Sequence, residues 1–283
     1  MYCTTTAWRR AAHSGTLGRL CSTTCRTHNT MNTDLWVEPI TKYGAPAYPC
    51  PHCGKGILVL EKQTLVKHET VASLQQADEW HPDPASTVYA FSCWLKCAAP
   101  TCQGMVAVVG TGGLEEHCDE DDHPIWEEYF TARHAWPMPD VFSIPNKCPG
   151  QVSRELSASF DALWSHQASA ASRLRVALEY LLDEVGVTRR RRAKSGYEKL
   201  PLHQRIEVLS KSQPDIGTNL MAVKWFGNTG SHPGGVAMAD VLNAYEIMEH
   251  ALDALVGQRG KRAAALARHL RKRHAPVRRT RVK

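Results

Sequence analysis

The sequence has no long hydrophobic run. No apolar stretch approaches the roughly 20 residues that a membrane-spanning helix needs, so a membrane protein is not expected. Several enzyme signatures are also missing: there is no GxxxxGK[ST] phosphate-binding loop, no HExxH motif and no nucleophile elbow. The glycines at 110–113 are too few to form a phosphate-binding loop. A free-standing metabolic enzyme is therefore the class that the sequence supports least.

Acidic residues are absent from both ends of the chain. Residues 1–30 hold 4 arginines and residues 259–283 hold 11 lysines and arginines, with no aspartate or glutamate in either segment. Because the whole chain has a net charge of +6, residues 31–258 carry a net charge of −9. The basic tail, 259–283, can neutralise phosphates and bind nucleic acid without sequence preference. A solvated tail that only aids solubility explains the same composition equally well.

The first 35 residues are expected to be disordered or a mis-annotated extension. The segment 1–30 is rich in Thr, Ser and Arg and shows no sustained period. An organellar transit peptide is one interpretation, but initiation at Met31 is favoured because no amphipathic helix is evident. Since the sequence also lacks an apolar secretory segment, its 10 cysteines are expected in a reducing cytoplasm.

Four cysteines form two pairs with the spacing of metal-binding knuckles. Cys50 and Cys53 stand in CPHCG, where the final glycine suits the tight turn of a knuckle. Cys97 and Cys102 have a wider, four-residue spacer. Two such thiolate pairs complete a tetrahedral zinc site, so these four cysteines are predicted to bind one zinc ion. A purely structural role is expected for it, because the neighbouring strands carry few basic residues.

Two alternatives at metal sites stay open. Cys93 would face the same side of a strand as Cys97 and could replace it as a ligand, although Cys97 fits a knuckle better because Gly104 follows its pair. A second metal could bind at 117–123, but an acidic surface loop is favoured there because knuckle spacing is absent. The residues of that second cluster are His117, Cys118, Asp119, Asp122 and His123.

The region around the knuckles is predicted to be a zinc-ribbon β domain over residues 36–136. Short β-rich runs predict antiparallel strands at one side of the knuckles, the last of them stopped by the glycines at 110–113. The interval 54–96 exceeds the usual ribbon spacing of about 15–20 residues, so an elaborated loop is expected inside it. The predicted strands are 56–60, 64–68, 87–91 and 105–109.

The remainder is predicted to be helical. Three prolines within 137–145 predict an extended linker over 137–150. Apolar residues then recur at helical intervals, which predicts a bundle of about four or five helices over 151–258, with a basic loop at 189–192. The fold class is therefore α+β: a small antiparallel zinc-ribbon domain, an all-α bundle and the basic tail.

One segment of the bundle, KWFGNTGSHP at 224–233, breaks the ordinary helical pattern. A helix over 216–226 is predicted to end in a turn that presents Asn228 and His232. Gly227 and Asn228 would supply the left-handed conformations of a helix C-cap. On spacing alone, this capping role is favoured over a functional site.

The order of four motifs resembles a known family. CPHCG at 50–54, the FSIP linker, ASRLRVALEYLLDEVG at 171–186 and WFGNTGSHP at 225–233 occur in this order in the bacterial domain of unknown function 4145 family. The resemblance covers roughly residues 36–256. It implies that the bundle is HEPN-like (higher eukaryotes and prokaryotes nucleotide-binding), that the chain forms homodimers through it, and that it works with a partner protein in a prokaryotic defence or restriction-type system.

The resemblance also implies a site. Many HEPN domains are metal-independent ribonucleases with an Arg-polar-x-x-x-His motif; Asn228 and His232 match its polar residue and histidine, but Gly227 stands where the arginine would be. Lys224 is the nearest cation, and it supplies only a point charge where arginine holds two phosphate oxygens. Without that arginine, transition-state stabilisation is lost, so efficient RNA cleavage is not expected.

Two functions follow as expectations. The first is a nucleic-acid-associated module that acts as a sensor, adaptor or subunit of a defence system. The alternative is a dimeric endoribonuclease toxin in which His232 transfers protons while the ribose 2′-hydroxyl attacks the phosphate, with Asn228 and Lys224 beside it. Polar groups from a neighbouring helix would assist, although a solvated amphipathic stripe explains them better. These residues are Arg173, Arg175 and Glu179.

Overall fold

The structure is a computed structural model that describes residues 31–76, 83–119, 121–193, 196–229 and 235–257, and seven positions between 266 and 274. Within these residues, an antiparallel sheet forms the N-terminal part and helices form the C-terminal part. This confirms the predicted α+β class. None of the helices in these residues has the length and apolarity needed to cross a membrane.

All strands of the N-terminal sheet are antiparallel. The order is β1-β6-β5-β4-β2, and β3 pairs with the first half of β4 on the same edge as β2. A short helix, α1 (Val71–Gln76), follows β3. The strands are β1 (Ile40–Thr41), β2 (Leu58–Leu60), β3 (Val66–Glu69), β4 (Val88–Cys97), β5 (Met105–Cys118) and β6 (Pro124–Trp136).

The long hairpin of β5 and β6 differs from the sequence prediction. The strand predicted at 105–109 does not stop at the glycines but continues to Cys118. Close approach to the neighbouring strands explains the glycine at 110, because a Cβ atom there would lie 2.8 Å from the Phe91 ring and would also meet the carbonyl of Thr131. A register shift between Val109 and Gly110 marks the same point. Here glycine therefore permits a bulged strand and does not end it.

Between residues 150 and 255, five helices and a second, two-stranded sheet follow in the described part of the chain. The prediction of a basic loop at 189–192 is wrong. Most of this segment belongs to a β-hairpin formed by β7 (Arg190–Ala193) and β8 (Gly196–Lys199). The last long helix, which apolar periodicity predicts over 236–256, matches the prediction to within two residues at each end. The helices are α2 (Gly150–Ala162), α3 (Gln167–Glu184), α4 (Leu202–Ser210), α5 (Pro214–Thr229) and α6 (Met238–Leu255).

The helices bury apolar faces against one another, and the segment before α2 joins them. Phe142 packs edge-on against Phe160 of α2, with ring centroids 5.1 Å apart, and contacts Tyr245 of α6 at 6.1 Å. The hydroxyl of Tyr245 is buried and lies 2.8 Å from the hydroxyl of Ser159, so this polar group in the core is satisfied. The extended segment therefore contributes core residues, and its role as a domain boundary stays a prediction.

The sheet region and the helices share an aromatic contact. Trp36 lies in a 3₁₀ turn before β1, Tyr48 precedes the first cysteine pair, and Trp164 follows α2. The three rings pack with centroids 5.3 to 5.9 Å apart. All three side chains are buried.

Candidate functional site

The four predicted metal ligands lie together at one end of the sheet. Cys50 and Cys53 come from the turn before β2, Cys97 ends β4, and Cys102 lies in the turn that leads to β5. All four sulfur atoms lie within 4.8 Å of one another. Sequence positions about 50 residues apart meet because β2 pairs with the end of β4, with Leu58 opposite Cys97.

The sulfur geometry fits one tetrahedral ion. The Sγ atoms of Cys50 and Cys102 are 3.8 Å apart, as are those of Cys53 and Cys97. A tetrahedral zinc with Zn–S bonds of about 2.3 Å sets its sulfurs about 3.8 Å apart. A disulfide needs about 2.05 Å, so the four sulfurs are free thiols at metal-binding separation. The donor set is therefore compatible with zinc.

The backbone of the first knuckle explains how it forms. The Gly54 amide donates to the Cys50 carbonyl at 2.8 Å, and Gly54 adopts φ +62, the left-handed region that suits glycine. The Gly56 amide donates to the Cys53 sulfur at 3.3 Å. Hydrogen bonds from the amides of Gly56 and Lys55 lower the pKa of Cys53 to about 6. Such amide donors stabilise the thiolate that a metal requires.

The structure distinguishes Cys97 from Cys93. Both side chains lie on the buried face of β4, as the four-residue spacing predicts. Only Cys97 belongs to the converging group of sulfurs, and the Ala99 amide donates to it at 3.4 Å. Burial raises the pKa of Cys93 to about 12, so Cys93 is a neutral thiol in the core at pH 7.

The second candidate cluster does not gather around a point. His117 Nε2 lies 3.7 Å from a Glu115 oxygen and 4.0 Å from a Glu127 oxygen, on the exposed β5–β6 hairpin. His123 contacts Asp119 at the hairpin tip. In the described part of the chain, the four cysteines are the one group of three or more ligand-type side chains that converges as a metal site does.

The helical motif has a different form from the predicted turn. α5 does not end at 226 but runs to Thr229, so Gly227 and Asn228 are helical and neither supplies a left-handed cap. Packing explains why a glycine occupies position 227, because a Cβ there would lie only 2.8 Å from the Cβ of Arg175 on α3. Gly227 therefore lets α3 and α5 approach closely. His232 lies outside the described residues, and its role stays a prediction.

The remaining polar candidates engage local partners. Lys224 is 8% exposed, and its Nζ lies 3.4 Å from the centroid of the Trp225 ring, a cation–π contact. Arg173 pairs with Glu155 of α2 at 3.0 Å. Arg175 lies 3.7 Å from Glu179 one turn along α3. The stem of Arg175 thus borders Gly227, and Lys224 is largely withdrawn from solvent.

A cationic surface was missed when 189–192 was interpreted as a loop. In the β7–β8 hairpin, Arg190 is opposite Lys199 and Arg192 is opposite Tyr197. Directly opposed residues of an antiparallel pair point to the same face. The run of four arginines was the available signal, but strand alternation, which separates the two faces, was not visible without the pairing.

The cysteine cluster and the two-part fold define a class: an antiparallel β domain with a candidate zinc site, followed by a helical region. Residues 157–273 match the family model described as domain of unknown function (DUF4145), which confirms the expected resemblance for the helical region. Residues 38–136 match a different model, domain of unknown function (DUF8608), so the 4145 resemblance does not extend over the cysteine-bearing sheet. Neither a curated protein nor a solved structure matches the chain.

Proposed function

We propose that this protein is a zinc-stabilised, nucleic-acid-associated module that acts as a sensor, adaptor or subunit of a prokaryotic defence or restriction-type system. The observation that carries the proposal is the cationic face of the β7–β8 hairpin. A partner protein and homodimerisation through a HEPN-like bundle belong to the same proposal. They are supported by the match of residues 157–273 to the domain of unknown function (DUF4145).

The hairpin separates its charges by face. Arg190, Lys199, Arg192 and Tyr197 share one face, which therefore carries three cations and an aromatic ring. Arg191 belongs to the other face, where it pairs with Glu198 at 2.9 Å. Within the described residues, Arg190 and Arg192 form no ion pair and stay available for phosphates. A positively charged ribbon of this kind suits the nucleic-acid backbone.

The zinc ion is proposed to be structural. Four thiolates complete a tetrahedral coordination shell and leave no open position for water or substrate. The site would also link the turn before β2 to the end of β4, where backbone pairing of Leu58 with Cys97 already holds the two segments together. A closed site of this kind stabilises a fold and does not perform hydrolysis.

The surroundings of Lys224 and Gly227 favour a binding function, such as that of an adaptor, over RNA cleavage. A transition state for phosphate attack needs an accessible cation at the phosphate. Lys224 is largely buried against Trp225, and Gly227 is covered by Arg175. A binding function requires none of these groups to reach a substrate.

The proposal is tested by the salt dependence of binding. The full chain is titrated against labelled RNA and DNA at several salt concentrations, beside Arg190→Ala, Arg192→Ala and the control Arg191→Ala. We expect each of the first two changes to reduce the slope of log K against log salt by about 1. The control, whose guanidinium is paired on the opposite face, leaves the slope unchanged. Absence of binding to any nucleic acid would contradict the proposal.

A metal-independent endoribonuclease is the second candidate. The observation in its favour is that Arg175 reaches from α3 to the position where the motif's arginine is missing, Gly227. Total RNA is incubated with the full chain without added metal, beside His232→Ala and Arg175→Ala. Cleavage by the wild type alone, leaving 2′,3′-cyclic ends, would support the nuclease; intact RNA in all three samples would reject it.

A further inference from the structure

We propose that the outer face of the N-terminal sheet binds single-stranded nucleic acid, RNA or DNA, by stacking bases on Trp94 and Trp136. The inference rests on the nucleic-acid association proposed above and assigns it a second, separate surface. That surface is called the tryptophan face here. It is the face of the sheet that carries Trp94 and Trp136. The opposite, buried face carries Phe91, Leu95 and Val106.

The register places the two indoles on either side of a small residue. Trp94 on β4 is opposite Ala107 on β5, and Ala107 is opposite Trp136 on β6. Opposed residues of antiparallel strands share a face. Neighbouring strands are about 4.8 Å apart, so the two tryptophan positions are separated by about 10 Å. The residue between them, Ala107, contributes only a methyl group to this face.

Both indoles are held out to solvent. Trp94 is 44% exposed and Trp136 is 78% exposed. Among the described residues, neither ring packs on another aromatic ring or a cation. Burial of large apolar surface stabilises a protein, so two such side chains left exposed in one row suggest a ligand that covers them.

The rows beside the tryptophans are apolar or basic. The next row contains Val66, Ser92, Val109 and His134, and the row on the other side contains Val59, Lys96 and Met105. Arg133, at the bulge, donates to Thr111 on the same face at 3.5 Å. The acidic residue nearest to the row is Glu61, which follows β2 and whose amide donates to the Trp94 carbonyl at 3.0 Å; at the paired positions of this face the acids are Glu115 and Glu127, beyond Gly113.

Aromatic rings interleaved with cations fit single-stranded nucleic acid better than the other occupants. Bases would stack on tryptophan while Lys96 and Arg133, which belong to or border the adjacent rows, supply positive charge for the phosphates. A duplex hides the faces of its bases, so it gains no stacking here. A wholly apolar protein partner would bury the charges of Lys96 and Arg133 without counter-charges, whereas phosphates supply them.

The test uses the full chain and fluorescence anisotropy of labelled oligouridine and oligothymidine of about 12 nucleotides, with a duplex of the same length. Trp94→Ala and Trp136→Ala are each expected to weaken single-strand binding at least about fivefold, with little effect on the duplex. The two oligonucleotides show whether RNA or DNA is preferred. Trp126→Ala is the matched control, because Trp126 is also exposed on β6 but lies on the opposite face.

Conservative variants keep the result interpretable. Trp94→Phe and Trp136→Phe retain a stacking ring, so they should recover most of the affinity if the proposal is right, even where an alanine variant fails to fold. Equal single-strand binding by the wild type and both alanine variants would overturn the tryptophan face while leaving the hairpin proposal intact. Binding to neither single strands nor duplex would overturn both. A change in oligomeric state without a change in single-strand affinity would assign the face to a second copy and also overturn the proposal.

Discussion

The indole nitrogen of Trp164 donates a hydrogen bond to the backbone carbonyl of Trp36 at 3.1 Å. These residues are 128 positions apart, one before the sheet and the other after α2. Both are buried, and Tyr48 packs on both of their rings. The contact thus joins the N-terminal segment and the helices through one satisfied donor–acceptor pair.

Trp164→Phe tests this contact. The substitution keeps an aromatic ring but removes the donor and leaves the Trp36 carbonyl buried without it. We expect the free energy of unfolding to fall by about 1–3 kcal/mol. Urea unfolding at neutral pH measures the change. Trp126→Phe, at an exposed position, serves as the control, and an equal effect of the two substitutions would contradict the prediction.

Cys97→Ser is expected to abolish zinc binding, whereas Cys93→Ala retains it. The first change removes a sulfur 3.8 Å from Cys53, and the second removes a neutral, buried thiol outside the cluster. The zinc content of the purified variants shows which cysteine is a ligand. One ion per chain is expected for the wild type and for Cys93→Ala. Loss of zinc from Cys93→Ala, with the fold intact, would mean that Cys93 is the ligand.

Gly227→Ala is expected to destabilise the helical region by about 1–3 kcal/mol. The new methyl would lie 2.8 Å from the Arg175 Cβ, so α3 and α5 would have to separate. Thermal unfolding measures the effect. Gly150→Ala is the matched control, because a Cβ at the start of α2 has no atom within 4 Å. A Gly227→Ala variant as stable as the control would contradict the close packing.

Asp183 is expected to make stability depend on acid pH. The pKa of Asp183 lies below its ordinary value. The main cause is hydrogen bonding from Arg189, and the charge of Arg205 adds to it. The ionised form is therefore favoured in the folded state, and its contribution is complete above the ordinary pKa of about 3.9 and is lost as the pH falls below it. Arg205 Nη2 lies 2.7 Å from Asp183 Oδ1, and this arginine is 3% exposed.

Asp183→Asn should thus lower the free energy of unfolding at pH 7 by about 3 kcal/mol, because the substitution leaves Arg205 buried without its counter-charge. The difference between wild type and variant should shrink below about pH 4. Urea unfolding from pH 7 to pH 3 measures both. Glu198→Gln breaks an exposed ion pair and should change stability by less than about 1 kcal/mol. A difference that stays constant down to pH 3 would rule out this role for Asp183.

Short-range chemistry explains what could be predicted from the sequence. The knuckle spacing identified the cysteines that meet, and apolar periodicity identified the helices, because both depend on residues close together in the chain. The choice of Cys97 over Cys93 also agrees with the geometry, since the turn that follows Cys97 brings Cys102 back to it.

Features that depend on distant partners could not be predicted in the same way. Gly110 looks like a strand terminator in isolation, and only the approach of Phe91 and Thr131 shows that it lies inside a strand. Gly227 looks like a cap until Arg175 is placed beside it. Trp136 is visible in the sequence, but only the strand register shows that it shares a row with Ala107 and Trp94.

A metal ion bound by the cysteine cluster would also restrict the unfolded chain. An ion that links Cys53 to Cys97 closes a loop of 44 residues, which in a chain-entropy treatment restricts the denatured ensemble by about 4 kcal/mol. Tyr48, two residues before Cys50, packs against Trp164 beside the helices. If zinc occupies the site, removing it with a chelator is expected to lower protection from hydrogen exchange in the sheet and as far away as α2.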